Sequence, residues 1–128
     1  MRFATGTTVS AAPGFAPFLD GGWLKPGVFV AMVDLGRSWR LATIRDLDVM
    51  ATDDRAQSCV LAADGTLAHA GPWAADLAEL VTRRHPGRTG ERQRTGFVFA
   101  GIALADLAVA AHVFHRAGAA GIGVRLEA

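Results

Sequence analysis

The sequence predicts an α/β fold in which a parallel sheet with flanking helices is followed by a long apolar C-terminal helix. Two observations support this prediction. Short apolar runs bounded by turn residues alternate with segments of helical composition, which is the pattern of a parallel sheet connected by helices. In addition, residues 97–117 are largely apolar with Asp106 as their one acidic residue, and such a helix needs cover from other elements.

Four strands are predicted between turn signals, and their residues are mainly apolar or β-branched. The run 28–33 (VFVAMV) is continuously apolar, as expected of a strand that is buried on both faces. Acidic residues follow two of these runs, Asp34 after the second and Asp53 after the third. The predicted strands span residues 3–8, 28–33, 48–52 and 121–126.

Three helices are predicted, at residues 55–63, 73–84 and 97–117, with shorter helical turns near 18–24 and 37–41. Pro72 suits the first position of the second helix, in which Trp73, Leu77 and Leu80 form an apolar stripe. Gly118 ends the third helix.

The composition limits the classes of function. With 128 residues, a formal charge of +1 and 51% hydrophobic residues, the chain has enough core material for one domain. It lacks the excess positive charge that is typical of nucleic-acid binders. We interpret a local basic cluster as a solvated loop, with an anion site as the alternative. The cluster consists of Arg83, Arg84, Arg88, Arg92 and Arg94.

The sequence predicts a cytoplasmic protein that does not span a membrane. Its one cysteine, Cys59, allows no intrachain disulfide, which fits a reducing compartment. The N-terminal residues lack the apolar run of a signal peptide. Residues 97–111 are shorter than the roughly 20 residues of a spanning helix, and they include Asp106.

Several segments, taken in order, resemble the ornithine cyclodeaminase and mu-crystallin family. They are Ala4-Thr5-Gly6-Thr7-Thr8, Trp23-Leu24-Lys25-Pro26-Gly27, residues 28–39 (VFVAMVDLGRSW), residues 48–54 with their acidic end, and residues 87–108, which contain G-R-T, T-x-F and G-x-A-x-x-D-x-A. This family joins a Rossmann-type NAD(P) domain to a substrate and dimerisation domain, and its members interconvert amino acids and imines by hydride transfer. The resemblance implies that residues 1–86 form the C-terminal half of a partial Rossmann-like NAD(P)-binding domain. It also implies that residues 87–128 return to the substrate domain.

The resemblance implies that Asp34 is the catalytic acid/base group at the substrate nitrogen or at an attacking water. A carboxylate at the C-terminal end of a parallel strand lies where ligands collect in open α/β sheets. Partial desolvation can raise the pKa of such a carboxyl group and so favour proton transfer. The alternative is that Asp34 only caps the turn at residues 36–40.

The resemblance also implies residues that bind NAD or NADP. Thr5, Thr7 and Thr8 would line the nicotinamide ribose, and Gly101 would lie near the nicotinamide ring. The alternatives are that the threonines only favour a strand and that Gly101 only permits close packing of a helix.

The 128 residues contain no G-x-G-x-x-G after a strand, the loop that holds the pyrophosphate in dinucleotide-binding domains. The sequence therefore predicts a truncated member of this family, inactive without a second polypeptide that carries the N-terminal half. The alternatives are a non-catalytic stand-alone unit and a small-metabolite-binding module. The sequence also predicts a homo-oligomer that associates through the segment from Phe97 to Phe114. No metal site is predicted, because His112 and His115 lack a third ligand nearby.

Overall fold

The structure, a computed structural model, describes residues 5–8 (backbone), 16–45, 47–124 and 126. Within them, five parallel strands form one sheet: β1 Thr5–Thr8, β2 Phe29–Met32, β3 Val49–Thr52, β4 Ala75–Asp76 and β5 Thr95–Val98. Their order across the sheet is β1-β2-β5-β3-β4, so the last strand in the sequence lies in the middle. The predicted α/β class and parallel sheet are confirmed. Residues 3 and 4 of the predicted first strand lie outside the described residues.

Four α-helices lie within the described residues: α1 Leu41–Ile44, α2 Arg55–Ala63, α3 Leu77–Val81 and α4 Ala103–Ala120, together with a 3₁₀ turn at Gly21–Trp23. Helix α2 has the predicted bounds because its start signal is local. The Asp54 carboxylate accepts the backbone N–H of Gln57 at 2.8 Å and so caps the first turn. None of the described helices combines the length and apolar character needed to cross a membrane.

The predicted helix at residues 97–117 is wrong at its start, and Gly118 does not end it, because α4 continues through Gly118 to Ala120. Phe97 belongs to β5, where it lies opposite Ala31 of β2 and Ala51 of β3. Because β5 pairs on both sides, its apolar residues reflect a central position in the sheet. Helix α4 begins only at Ala103, after Gly101 has taken a φ of 91°.

The predicted helix at residues 73–84 is also too long. Residues 75 and 76 pair with β3 as the short strand β4, and α3 begins only at Leu77. Asp76 and Glu79 fix this start by a reciprocal cap. The Asp76 carboxylate accepts the N–H of Glu79 at 2.9 Å, and the Glu79 carboxylate accepts the N–H of Asp76 at 3.0 Å. Pro72 therefore precedes a strand instead of opening a helix.

The predicted last strand at residues 121–126 is not found among the described residues of that range. Gly121 takes a left-handed φ of 66° and ends α4, and the N–H of Ile122 donates to the carbonyl of Ala117 at 2.9 Å. The domain boundary after residue 86 stays a prediction. The strand β5 lies beyond that boundary in the sequence but within the same sheet.

One face of the sheet carries the core. Helices α1 and α2 contribute to the cover of this face through Ile44 and Leu61. Gly96 lies at its centre, where an added Cβ would lie 2.6 Å from the sulfur of Met50. Only glycine therefore allows this close approach without a shift of the core. The buried apolar cluster consists of Val28, Val30, Met32, Trp39, Ile44, Leu47, Met50, Leu67 and Val98.

The opposite face, which we call the open face, is formed by Phe29, Ala31, Val49, Ala51 and Phe97. Phe29 is 42% exposed, and Val49 and Phe97 are only half-buried. The expectation that the strand at 28–33 is buried on both faces is therefore wrong for Phe29. Among the described residues, helix α3 reaches only the border of this face, through Leu80. The cover of the face is uneven, because Ala51 is 4% exposed whereas Phe29 is 42% exposed.

Candidate functional site

The carboxyl ends of β2, β5 and β3 lie side by side, because these strands are parallel neighbours. Ligands bind at this edge in open α/β sheets. Asp34 lies two residues after β2, Asp53 directly follows β3, and Gly101 lies three residues after β5. The structure thus brings the predicted site residues Asp34 and Gly101 to one edge and adds Asp53. We call this region the carboxyl edge.

The three predicted threonines lie on β1, next to β2 in the sheet. Thr8 is the last residue of β1 and lies opposite Met32, so it reaches the same carboxyl edge. Thr5 and Thr7 lie opposite Phe29 and Ala31, further from that edge. Their role in cofactor binding stays a prediction.

The Asp34 carboxylate is buried and caps the turn that follows it. Its Oδ1 accepts the N–H of Gly36 at 3.1 Å. Its Oδ2 accepts the N–H of Ser38 at 2.9 Å and also the hydroxyl of Ser38. The capping role that the sequence left as an alternative is thus present in the structure. The catalytic role stays a prediction.

The backbone after Asp34 is strained. Leu35 has a φ of 63° and Gly36 a φ of 73°, so two successive residues take left-handed conformations. For a leucine this conformation costs about 1–2 kcal/mol. The surrounding contacts hold it in place: the side chain of Leu35 packs on the core, and its carbonyl accepts the N–H of Ala68 at 3.2 Å. Strain of this kind is common at functional sites, which supports a role for this turn beyond packing.

Asp53 connects the carboxyl end of β3 to the segment between β5 and α4. Its Oδ2 accepts the N–H of Gly101 at 2.6 Å. Gln57, on α2, donates its side-chain amide to the carbonyl of Gly101 at 2.8 Å. Both backbone groups of Gly101 are therefore held by side chains from other elements. Gly101 does not lie inside a helix, so the alternative of close packing within a helix is wrong.

A buried hydroxyl pair supports Asp53. The Thr52 hydroxyl lies 3.1 Å from Oδ1 of Asp53 and 2.6 Å from the hydroxyl of Ser58. It also lies 3.2 Å from the carbonyl of Val98 on β5. The sequence showed an acidic end after this strand but no partner for it. Its partner Gly101 is 48 residues away, and no local pattern reports such a contact.

A separate open cavity of about 540 Å³ lies beside the N-terminal end of β3 and includes Arg45, Leu47, His69 and Trp73 in its lining. His69 is buried and packs edge-on against Trp73, with ring centroids 4.9 Å apart. Burial, and secondarily the charge of Arg45, lower the pKa of His69 below its ordinary value of 6.5. No predicted site residue lines this cavity. In the described part of the chain, no three His, Cys, Asp or Glu residues are grouped to hold a metal ion.

No family model and no curated protein matches the sequence, whereas solved structures match the fold. The crystal structure of CmnK matches with a TM-score of 0.76 and 21% identity over 96% of this chain and 38% of that one. The Thermococcus litoralis Delta(1)-pyrroline-2-carboxylate reductase, in complex with NADH and L-proline, matches with a TM-score of 0.68 and 24% identity over 86% and 37%. An archaeal alanine dehydrogenase dimer with bound NAD matches with a TM-score of 0.73 and 20% identity over 96% and 40%.

The chain therefore spans about two fifths of the length of each of these proteins. At these identities the likeness shows the fold alone. That fold is shared with two oxidoreductases whose structures contain NADH or NAD.

Proposed function

We propose that this chain supplies the nicotinamide side of the cofactor site in an NAD(P)-dependent amino acid or ketimine oxidoreductase of the ornithine cyclodeaminase and mu-crystallin type. The observation that supports this is the meeting of Asp34, Thr8 and Gly101 at one carboxyl edge of a parallel sheet. The same fold occurs in a pyrroline-carboxylate reductase and an alanine dehydrogenase solved with NADH or NAD. The threonines of β1 and Gly101 would contact the nicotinamide half of NAD or NADP.

In this proposal Asp34 moves a proton at the substrate nitrogen. When bound, NAD(P) accepts or supplies the hydride. The Oδ1 atom of Asp34 accepts one hydrogen bond, from Gly36, which leaves it acceptor capacity for a further proton. The bonds from Ser38 to Oδ2 would hold the carboxylate in one orientation. The carboxylate would take a proton from an amine during oxidation and return it during reduction.

The phosphate half of the cofactor needs groups other than those at the carboxyl edge. The 128 residues contain no G-x-G-x-x-G loop, so this loop and the residues that bind the substrate would come from another segment or polypeptide. We therefore expect no hydride transfer from the 128 residues alone.

An NMR titration of the isotope-labelled chain tests the proposal with the two halves of the cofactor. Nicotinamide mononucleotide should shift the amide signals of Gly36 and Gly101 with millimolar affinity, and AMP should not. Gly101→Ala should weaken these shifts. Gly65→Ala is the matched control, because both glycines have a positive φ and room for a Cβ. Equal binding of AMP, or shifts away from the carboxyl edge, would contradict the proposal.

The three hydrogen bonds on Asp34 favour a second candidate, a non-catalytic association or small-metabolite-binding module in which Asp34 only fixes its turn. The two candidates can be distinguished by measuring turnover after the chain is combined with a polypeptide that carries the phosphate-binding loop. If Asp34 is the acid/base group, Asp34→Asn lowers turnover by at least about 100-fold while the Kd for NADH stays similar. A normal rate in this variant would remove Asp34 from the mechanism, whereas no turnover from the reconstituted wild-type chain would favour the second candidate.

A further inference from the structure

Most residues of helix α4 are apolar, and none of its residues is buried. Leu107 is 66% exposed and Phe114 is 70% exposed. These two residues are seven positions apart and lie on the same side of the helix. Contiguous exposed apolar surface of this kind marks an interaction site in a water-soluble fold.

The open face of the sheet is a second uncovered apolar surface. A cavity of about 310 Å³ opens on it and is lined by Phe29, Val49 and Phe97, with Leu80 and Arg88 among the residues around them. The three strands β2, β5 and β3 span about 10 Å between the outer two, because neighbouring strands lie about 4.8 Å apart. An α-helix with its side chains is about 10–12 Å wide. One helix therefore matches the width of this face.

The link between β5 and α4 keeps the helix away from the open face of its own chain. It consists of residues 99–102 only. Within it, the N–H of Gly101 is bound by Asp53 and its carbonyl by Gln57. Because this short link is held at the carboxyl edge, α4 leaves the sheet there and, within the part of the chain that the structure describes, does not cover Phe29 on the open face.

We propose that two copies of the chain exchange these surfaces, so that α4 of each copy packs on the open face of the other. Such a dimer is closed and twofold symmetric, because each copy contributes one helix and one face. This interface does not rest on the proposed cofactor role.

Charge also favours this pairing. The Arg88 guanidinium borders the open face and is held by the carbonyls of Gly27 and Val28 and by the hydroxyl of Thr95. No ion pair with a carboxylate engages it within the described residues. Asp106 is the one carboxylate of α4. The helix also carries Arg116, ten residues further along, so the favourable contact is the one between Asp106 and Arg88, whose charges are opposite.

Both surfaces contribute to the contact area. Leu104, Leu107 and Phe114 of α4 are 72%, 66% and 70% exposed, and Phe29 of the open face is 42% exposed. A standard interface buries about 800 Å² on each partner, and in the exchange each copy contributes both a helix and a face toward that area.

Light scattering on the purified chain at micromolar concentration should give the mass of a dimer. The double variant Leu107→Glu/Phe114→Glu should be monomeric, and so should Phe29→Glu, because each places an uncompensated charge in the contact. Val60→Glu is the matched control, since Val60 is 66% exposed on α2 and lies outside both surfaces. Circular dichroism shows whether each variant is folded. A monomeric wild-type chain, or a dimer unchanged in either interface variant, would overturn the proposal.

Mixing the two interface variants distinguishes exchange from other dimers. In a mixed dimer, the intact α4 of the Phe29→Glu copy can still pack on the intact open face of the Leu107→Glu/Phe114→Glu copy. The mixture should therefore recover a weaker dimer that neither variant forms alone. If α4 pairs with α4 instead, Phe29→Glu remains dimeric and the mixture gains nothing from complementation. Either result would overturn the exchange.

Discussion

Asp34 and Asp53 are both buried aspartates at the carboxyl edge, but their carboxylates bind different parts of the chain. Each follows a strand at the carboxyl edge, and each is 4% exposed. Among the described residues, the partners of the Asp34 carboxylate, Gly36 and Ser38, lie within four residues of it. Asp53 instead reaches Gly101, 48 residues away. One carboxylate thus builds a local turn, and the other joins two distant parts of the chain.

The largest effect is expected from Asp53→Ala. This change leaves the N–H of Gly101 without its acceptor and removes a partner of the Thr52 hydroxyl, so we expect a loss of about 3 kcal/mol in the free energy of unfolding. Urea denaturation measures it, and amide exchange should be faster at Gly101 than in wild type. Asp54→Ala is the control, because it removes only a helix cap and should cost about 1 kcal/mol. Equal losses in the two variants would show that the long-range contact contributes little.

Asp34→Ala should cost less, about 2 kcal/mol in the free energy of unfolding. Its three hydrogen bonds are lost, but the turn can relax, and relaxation releases the strain at Leu35. Amide exchange should change at Gly36 and Ser38 and stay the same at Gly101. A change at Gly101 would mean that the two aspartates are coupled, and the contrast between them would fail.

Two serine variants sharpen the same contrast with smaller effects. Ser38→Ala removes a hydroxyl from Asp34, and Ser58→Ala removes the hydroxyl that pairs with Thr52 beside Asp53. Both serines are buried, and each change should cost about 1 kcal/mol. Only Ser58→Ala should shift the NMR signal of the Gly101 amide. A shift of that signal in Ser38→Ala would contradict the separation of the two networks.

The sequence predicted the features that depend on interactions between residues close together in the chain. Helix α2 has its predicted bounds because Asp54 caps its start. The capping role of Asp34 was an explicit alternative, since its partners are close in sequence. Residues 97 and 98 of β5 were predicted as the start of a helix, because their state depends on pairing with β2 and β3, which lie far away in the chain. The contact between Asp53 and Gly101 was missed for the same reason.

The smallest expected effect is a dependence of stability on pH that is caused by His69. It matters for the comparison of the aspartate variants, because it sets the pH at which they should be measured. Burial lowers the pKa of His69 in the folded chain, so the unfolded chain binds the proton more tightly. Above the ordinary pKa of 6.5, His69 is neutral in both states and does not reduce the free energy of unfolding. As pH falls below that value, the unfolded chain takes up the proton first, and the free energy of unfolding declines. His69→Gln should reduce the loss of stability between about pH 7.5 and 5.5. The measurement is urea denaturation at both pH values. If wild type and His69→Gln lose the same stability, the loss arises elsewhere, and the aspartate variants would then need comparison at a single pH.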